Sequence, residues 1–90
     1  MATIKFPRQF LSYTEQRKTH TIEGSCVEDL LSRLTTRFPL LIGPVFSDEL
    51  EPQPFVGLFV DNRPVITEED RRCLLGSDAQ LILISAVAGG

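Results

Sequence analysis

Apolar and polar residues alternate over residues 3–6, with Ile4 and Phe6 on one side and Pro7 closing the run, which predicts a first strand. Polar residues 12–17 read as a turn. Residues 18–23, with threonines around Ile22, predict a second strand paired with the first as an antiparallel hairpin, ended by Gly24. The period then lengthens. Val27, Leu30, Leu31, Leu34 and Phe38 recur at helical spacing and give one apolar stripe for a sheet to cover. Ser25 as N-cap and Glu28 three residues later make a capping-box pattern. Pro39 stops the helix, because the residue before a proline is pushed out of the α region.

From 40 to 54 the pattern dissolves. Four of the six prolines and Gly43 fall between 39 and 54, which predicts a loop with at most a short turn. Residues 55–60 read as a third strand, Asp61-Asn62-Arg63 as a tight turn, and 64–66 as a short fourth strand. Thr67 with Asp70 looks like a second N-cap, opening a helical turn through Arg71 to Leu75 that Gly76 terminates. Ser77-Asp78 makes the last turn and residues 80–87 the final strand. The order strand, strand, helix, strand, strand, strand is α+β, and one helix must cover one face of the sheet. If the last strand returns to the middle of the sheet beside the first, the result is the β-grasp, or ubiquitin-like, layout. That layout is a mixed sheet of four to five strands covered by one main helix. Element order by itself also allows other α+β arrangements.

A chain of 90 residues implies one domain with a modest core, and 42% hydrophobic content fits a folded globule. No apolar run approaches the length of about 20 residues that a spanning helix needs. Residues 1–10 alternate in polar residues where a signal peptide would be continuously apolar, so a cytosolic, membrane-free protein is expected. Twelve acidic side chains outnumber nine basic ones, for a net charge of -3. The nearest thing to a basic run, Arg71-Arg72, follows directly on Glu68-Glu69-Asp70, so nucleic-acid binding is disfavoured. Cys26 and Cys73 form no Cys-x-x-Cys pair, which argues against a metal site.

The most informative stretch is the last one. Leu81-Ile82-Leu83-Ile84 should be anchored in a core, yet it runs into Val87-Ala88-Gly89-Gly90. Two glycines cannot pack and cost the most backbone entropy to order. The plain alternative is a frayed end. The chemical expectation is a narrow handle, with Val87, Ala88 and Gly89 threading the Gly90 carboxylate into another protein's active site.

A docking face also follows from the pattern. Leu81-Ile82-Leu83-Ile84 is apolar on both sides of its strand, so Leu81 and Leu83 face the helix while Ile82 and Ile84 face away, or the reverse. Phe59 has the opposite parity to Leu58 and Val60 and can join them. Phe59, Ile82 and Ile84 are therefore the candidate partner-binding patch. The competing expectation is that the loop over 40–54 folds across them. Other residues invite plainer readings. His20, the only histidine, is expected to be a solvated strand residue and not part of a triad. Cys26 and Cys73 are expected as small buried residues. Glu68-Glu69-Asp70 complements a helix dipole better than it suggests a metal site.

Phe59-Val60-Asp61-Asn62-Arg63-Pro64-Val65, the helix over 25–38 and the Gly89-Gly90 tail together resemble the ubiquitin-like sulfur carriers. That family includes the small subunit of molybdopterin synthase and the thiamine-pathway carrier. The stretches resembling Ile4 to Leu11, the long loop before Phe55-Val56, and Ala86-Val87-Ala88-Gly89-Gly90 are most similar to the cysteine-pathway carriers. This chain has Ser85 where the family usually has proline, and Gly76-Ser77-Asp78 where it often has Asp-Gly-Asp. The resemblance implies an E1-like adenylating enzyme that activates the Gly90 carboxylate with ATP, and a sulfur donor that converts the adenylate to a thiocarboxylate. It also implies a sulfur-accepting synthase, such as a PLP-dependent cysteine synthase or a molybdopterin synthase. The chain carries no phosphate-binding glycine loop, so ATP and sulfur would come with the activating partner, and no cofactor or metal of its own is expected. It would be a substrate of that enzyme and no enzyme itself. Two further readings stand beside this one: a protein modifier conjugated through Gly90 to target lysines, and an interaction domain whose tail is inert.

Overall fold

The computed structural model describes residues 1–86, and the expected tail residues Val87, Ala88, Gly89 and Gly90 lie outside them. Two strands open the chain, β1 (Ala2–Lys5) and β2 (Thr19–Ile22), followed by helix α1 (Val27–Arg37). Strands β3 (Val56–Val60) and β4 (Arg63–Pro64), helix α2 (Glu68–Arg72) and strand β5 (Gln80–Ser85) complete it. The five strands form one sheet in the order β2-β1-β5-β3-β4. β5 lies parallel to β1 and antiparallel to β3, with Ile4 opposite Leu81 and Leu58 opposite Leu83. The C-terminal strand therefore takes the centre, as the β-grasp expectation requires.

Strand parity decides which face is buried. Ala2, Ile4, Ile22, Val56, Leu58, Leu81 and Leu83 point one way and are nearly inaccessible. Val27, Leu30, Leu31, Leu34 and Phe38 of the helical stripe close over them. The expected antiparallel hairpin is present, in register from Ala2 opposite Ile22 to Lys5 opposite Thr19. Asp61 and Asn62 turn β3 into β4 with φ of 47° and 72°, the left-handed conformation expected of them.

Several expectations are corrected. The first helix is not capped by Ser25. Cys26 holds the N-cap position with no side-chain bond, and the Asp29 carboxylate instead accepts from the Ser25 amide at 3.1 Å. The carboxylate one position further along reaches back, so Glu28 is free to approach Arg72 at 3.6 Å. Between β1 and β2 a 3-10 helix over Arg8–Tyr13 that buries Phe10 comes first, and the expected turn over 12–17 follows it at residues 14–16. β4 ends at Pro64, and α2 ends at Arg72 with Cys73 as its C-cap. Because that helix is one and a half turns on the surface, it buries nothing. Cys73 is exposed and Leu74 is 81% exposed, contrary to the expectation of core residues there. Cys26 is half-buried.

The proline-rich loop contributes more than its composition suggests. Leu41, Val45 and Phe46 are completely buried and join the core on the helix side. The Val45 and Phe46 amides both donate to the Leu41 carbonyl, at 3.1 and 3.0 Å, and so fold the loop inward.

His20 is the largest correction. It is 3% exposed, on the same face of β2 as Ile22. Its ring meets Phe6 and Phe38 edge-on, with centroids 5.7 and 4.7 Å away. Nε2 sits 3.1 Å from both the Thr14 and the Arg17 carbonyls. Two acceptors require a donor between them, which places the proton on Nε2.

Candidate functional site

The face of the sheet away from α1 carries no second layer. Thr19, Lys5, Ile82, Phe59 and Pro64 form one row across all five strands, each hydrogen-bonded neighbour directly opposite the next. Ile84 stands opposite Gly57 in the adjoining row. Phe59 and Ile82 are half-buried and Ile84 is 42% exposed. All three patch residues thus share the outer face, in contact through the β3–β5 ladder.

Gly57 explains how they pack. A Cβ built there would lie 2.9 Å from Ile84 Cγ1 and 3.4 Å from Phe59 Cε1. The two side chains lean over the bare backbone at this position, so the absence of a side chain permits the patch. The loop over 40–54, whose Leu41, Val45 and Phe46 went into the helix-side core, does not cover it.

β5 is held on both edges, by β1 and by β3. The ladder to β3 runs as far as Ser85 opposite Val56, and the next amide, Ala86, donates to the Phe55 carbonyl at 2.7 Å. Ala86, the last described residue, is therefore tied to the start of β3, two residues beyond Ile84. Sequence parity located Phe59, Ile82 and Ile84. Lys5, which shares their row, was missed, although its alternation with Ile4 and Phe6 placed it on this face.

Acidic groups near the helices have local roles. The Asp70 carboxyl is held below its ordinary value, first by the Thr67 and then by the Ile66 backbone amides, each donating at 3.0 Å. Asp29 is lowered by the Ser25 amide and by Arg33, 3.2 Å away. Among the described residues no group of three or more His, Cys, Asp or Glu side chains is placed to hold a metal ion, and no helix is long and apolar enough to cross a membrane.

No protein-family model matches the chain, and no curated protein matches it. Solved structures do. A chain of the Amycolatopsis orientalis BexX/CysO complex superposes with a TM-score of 0.84 at 19% identity, covering 100% of both chains. The small archaeal modifier protein 1 of Methanosarcina acetivorans gives 0.81 at 18% identity, over 99% of this chain and 95% of that one. CysO of Mycobacterium tuberculosis gives 0.76 at 16% identity, over 97% of this chain and 100% of that one. At these identities the likeness establishes the β-grasp fold, end to end.

Proposed function

We propose that the chain is a ubiquitin-like sulfur carrier whose Gly90 carboxylate is activated and loaded by a partner enzyme. The observation that carries this reading is β5. A central strand, paired with β1 as far as Ile82 and with β3 as far as Ser85, its ladder extended by the Ala86 amide, leads into a sequence ending in two glycines beside an uncovered apolar face. The fold shared with CysO structures supports it. The occurrence of one such fold in a BexX/CysO complex supports docking to a partner protein.

The chemistry needs two steps that this chain cannot perform by itself. A Gly90 carboxylate oxygen attacks the α-phosphorus of ATP, expels pyrophosphate and forms an acyl-adenylate. Hydrosulfide then attacks the Gly90 carbonyl carbon, the C–O bond to AMP breaks, AMP leaves and the sulfur-bound proton is lost to solvent. The product is a thiocarboxylate, which keeps its negative charge at neutral pH and transfers sulfur to a synthase. The role of the chain is to orient: the sheet fixes the base of the tail, the glycines remove side chains from the threading path, and Phe59, Ile82 and Ile84 supply apolar docking area.

Incubation with ATP, an E1-like adenylating enzyme and a sulfur source should exchange one oxygen for sulfur in the intact mass. An unchanged mass in the presence of an enzyme that charges other carriers of this fold contradicts the reading. The likeness to a small archaeal modifier protein favours a second use, conjugation through Gly90 to lysines. Isopeptide-linked adducts without any free thiocarboxylate would select it.

A further inference from the structure

The basic side chains of this acidic protein are unevenly placed. Among the described residues the ion pairs involve only Arg33, Arg71 and Arg72, with Asp29, Glu51, Glu28 and Glu68, all on the helix side. Arg63 on β4 is exposed and has no carboxylate partner within 4.0 Å among the described residues, and the same holds for Lys5, Arg8, Arg17, Lys18 and Arg37.

Topology gathers the last five of these at one end of the molecule. Lys5 ends β1, and Arg8 begins the 3-10 turn just beyond it. The Lys18 carbonyl accepts from the Phe6 amide at 2.8 Å, and the Arg17 carbonyl accepts from His20. Arg37 ends α1, beside the Phe38 ring that meets His20. Glu15 is the one acid in this turn.

β5 runs parallel to β1, with Ile82 level with Lys5, so its C-terminal end emerges at this same end. At about 3.3 Å per residue, Ala86 stands roughly 13 Å beyond the Lys5 level. The cations therefore border the exit of the tail-bearing strand. Arg37 lies over the Phe38 ring, 5.1 Å from its centroid, but Lys5, Arg8, Arg17 and Lys18 have no carboxylate partner among the described residues, and a charged rim beside a docking site steers encounter with an oppositely charged partner.

We infer that this rim docks on an acidic surface around the entrance through which the activating partner receives Gly90. The inference rests on the carrier reading and adds the charge of the partner surface and the residues that meet it.

The test uses the full chain and the adenylating enzyme that charges it. Pyrophosphate release is measured for wild type, for the Arg8→Glu/Arg17→Glu/Lys18→Glu variant, and for Glu49→Lys as a charge-changed control on the loop. At low salt the triple variant should lose roughly tenfold or more in kcat/KM through KM, with kcat retained. The wild-type kcat/KM should fall as salt rises, the variant should have lost that dependence, and Glu49→Lys should keep it. Circular dichroism should report the same fold for all three. Equal kcat/KM and equal salt dependence in wild type and triple variant overturn the inference while leaving the carrier reading intact. Salt-sensitive binding of a short DNA duplex that the triple variant alone loses, with charging unaffected, overturns it in favour of a nucleic acid. Failure of wild type to be charged at all removes the carrier reading, and this inference with it.

Discussion

The His20 imidazole stands between the Phe6 and Phe38 rings and ties down the turn that contains Glu15 and Gln16, both at positive φ. A buried donor serving two carbonyls is hard to replace. His20→Ala strands both acceptors and opens a cavity, so it should cost about 2 kcal/mol, read as a lower denaturant midpoint at constant slope. A midpoint within experimental scatter of wild type would contradict this role. Gly57 is the second informative residue. Gly57→Val should displace Ile84 and Phe59 from their packing over the bare backbone. It should weaken partner binding more than it weakens the fold, and binding unaffected by the change contradicts the patch. The alternation Thr19-His20-Thr21-Ile22 already put His20 on the Ile22 face, but polarity suggested solvent. What sequence could not display was the pair of carbonyls, supplied by backbone of a turn, that makes burying an imidazole acceptable.

At the scale of elements, α2 depends on its cap, because five residues with no buried side chain have little else to hold them. The Thr67 hydroxyl accepts from the Asp70 amide at 3.1 Å, and the Asp70 carboxylate accepts from the Thr67 and Ile66 amides. Thr67→Ala should cost about 1 kcal/mol, measured by chemical denaturation. Asp70 carries a pH consequence. Its carboxyl is lowered below the ordinary 3.8 in the folded state, so its stabilisation is complete above that value and is lost as pH falls through the lowered one. Asp70→Asn should accordingly flatten the acid limb of stability below pH 3.8, and an unchanged limb would show that the cap contributes nothing there. Element types and order were legible, since a period of two dominates the core strands and one near four dominates α1. Element ends were less so. Asp29 competed with Glu28 for the back-reaching bond at the first helix, and the sequence presents two adjacent acids without showing which one turns inward. The buried loop residues Leu41, Val45 and Phe46 were missed for a related reason: prolines mark irregular backbone but say nothing of its burial.

For the whole molecule, the central position of β5 joins the pieces. The strand that closes the core through Leu81 and Leu83 also presents Ile82 and Ile84 outward and ends on the side of the molecule that carries Lys5, Arg8, Arg17 and Lys18, none of them paired with a carboxylate among the described residues. Core packing and the outer apolar patch therefore share the six residues of β5, and parity alone made that sharing readable. The distribution of charge was not readable in this way, because residues 5, 8, 17, 18 and 37 meet only through the hairpin and the return of α1. An outer-face change such as Ile82→Lys should leave the denaturant midpoint nearly unchanged, since the side chain faces away from the core, yet abolish productive docking. Loss of the fold in that variant would mean the outer face is structural. The most direct test of the account concerns the last residue. After charging with ATP and sulfide by the adenylating enzyme, tandem mass spectrometry of the C-terminal peptide should place the sulfur on the Gly90 carboxyl, and a chain lacking Gly89 and Gly90 should acquire none. Sulfur found on Cys26 or Cys73 instead, or on the truncated chain, would contradict it.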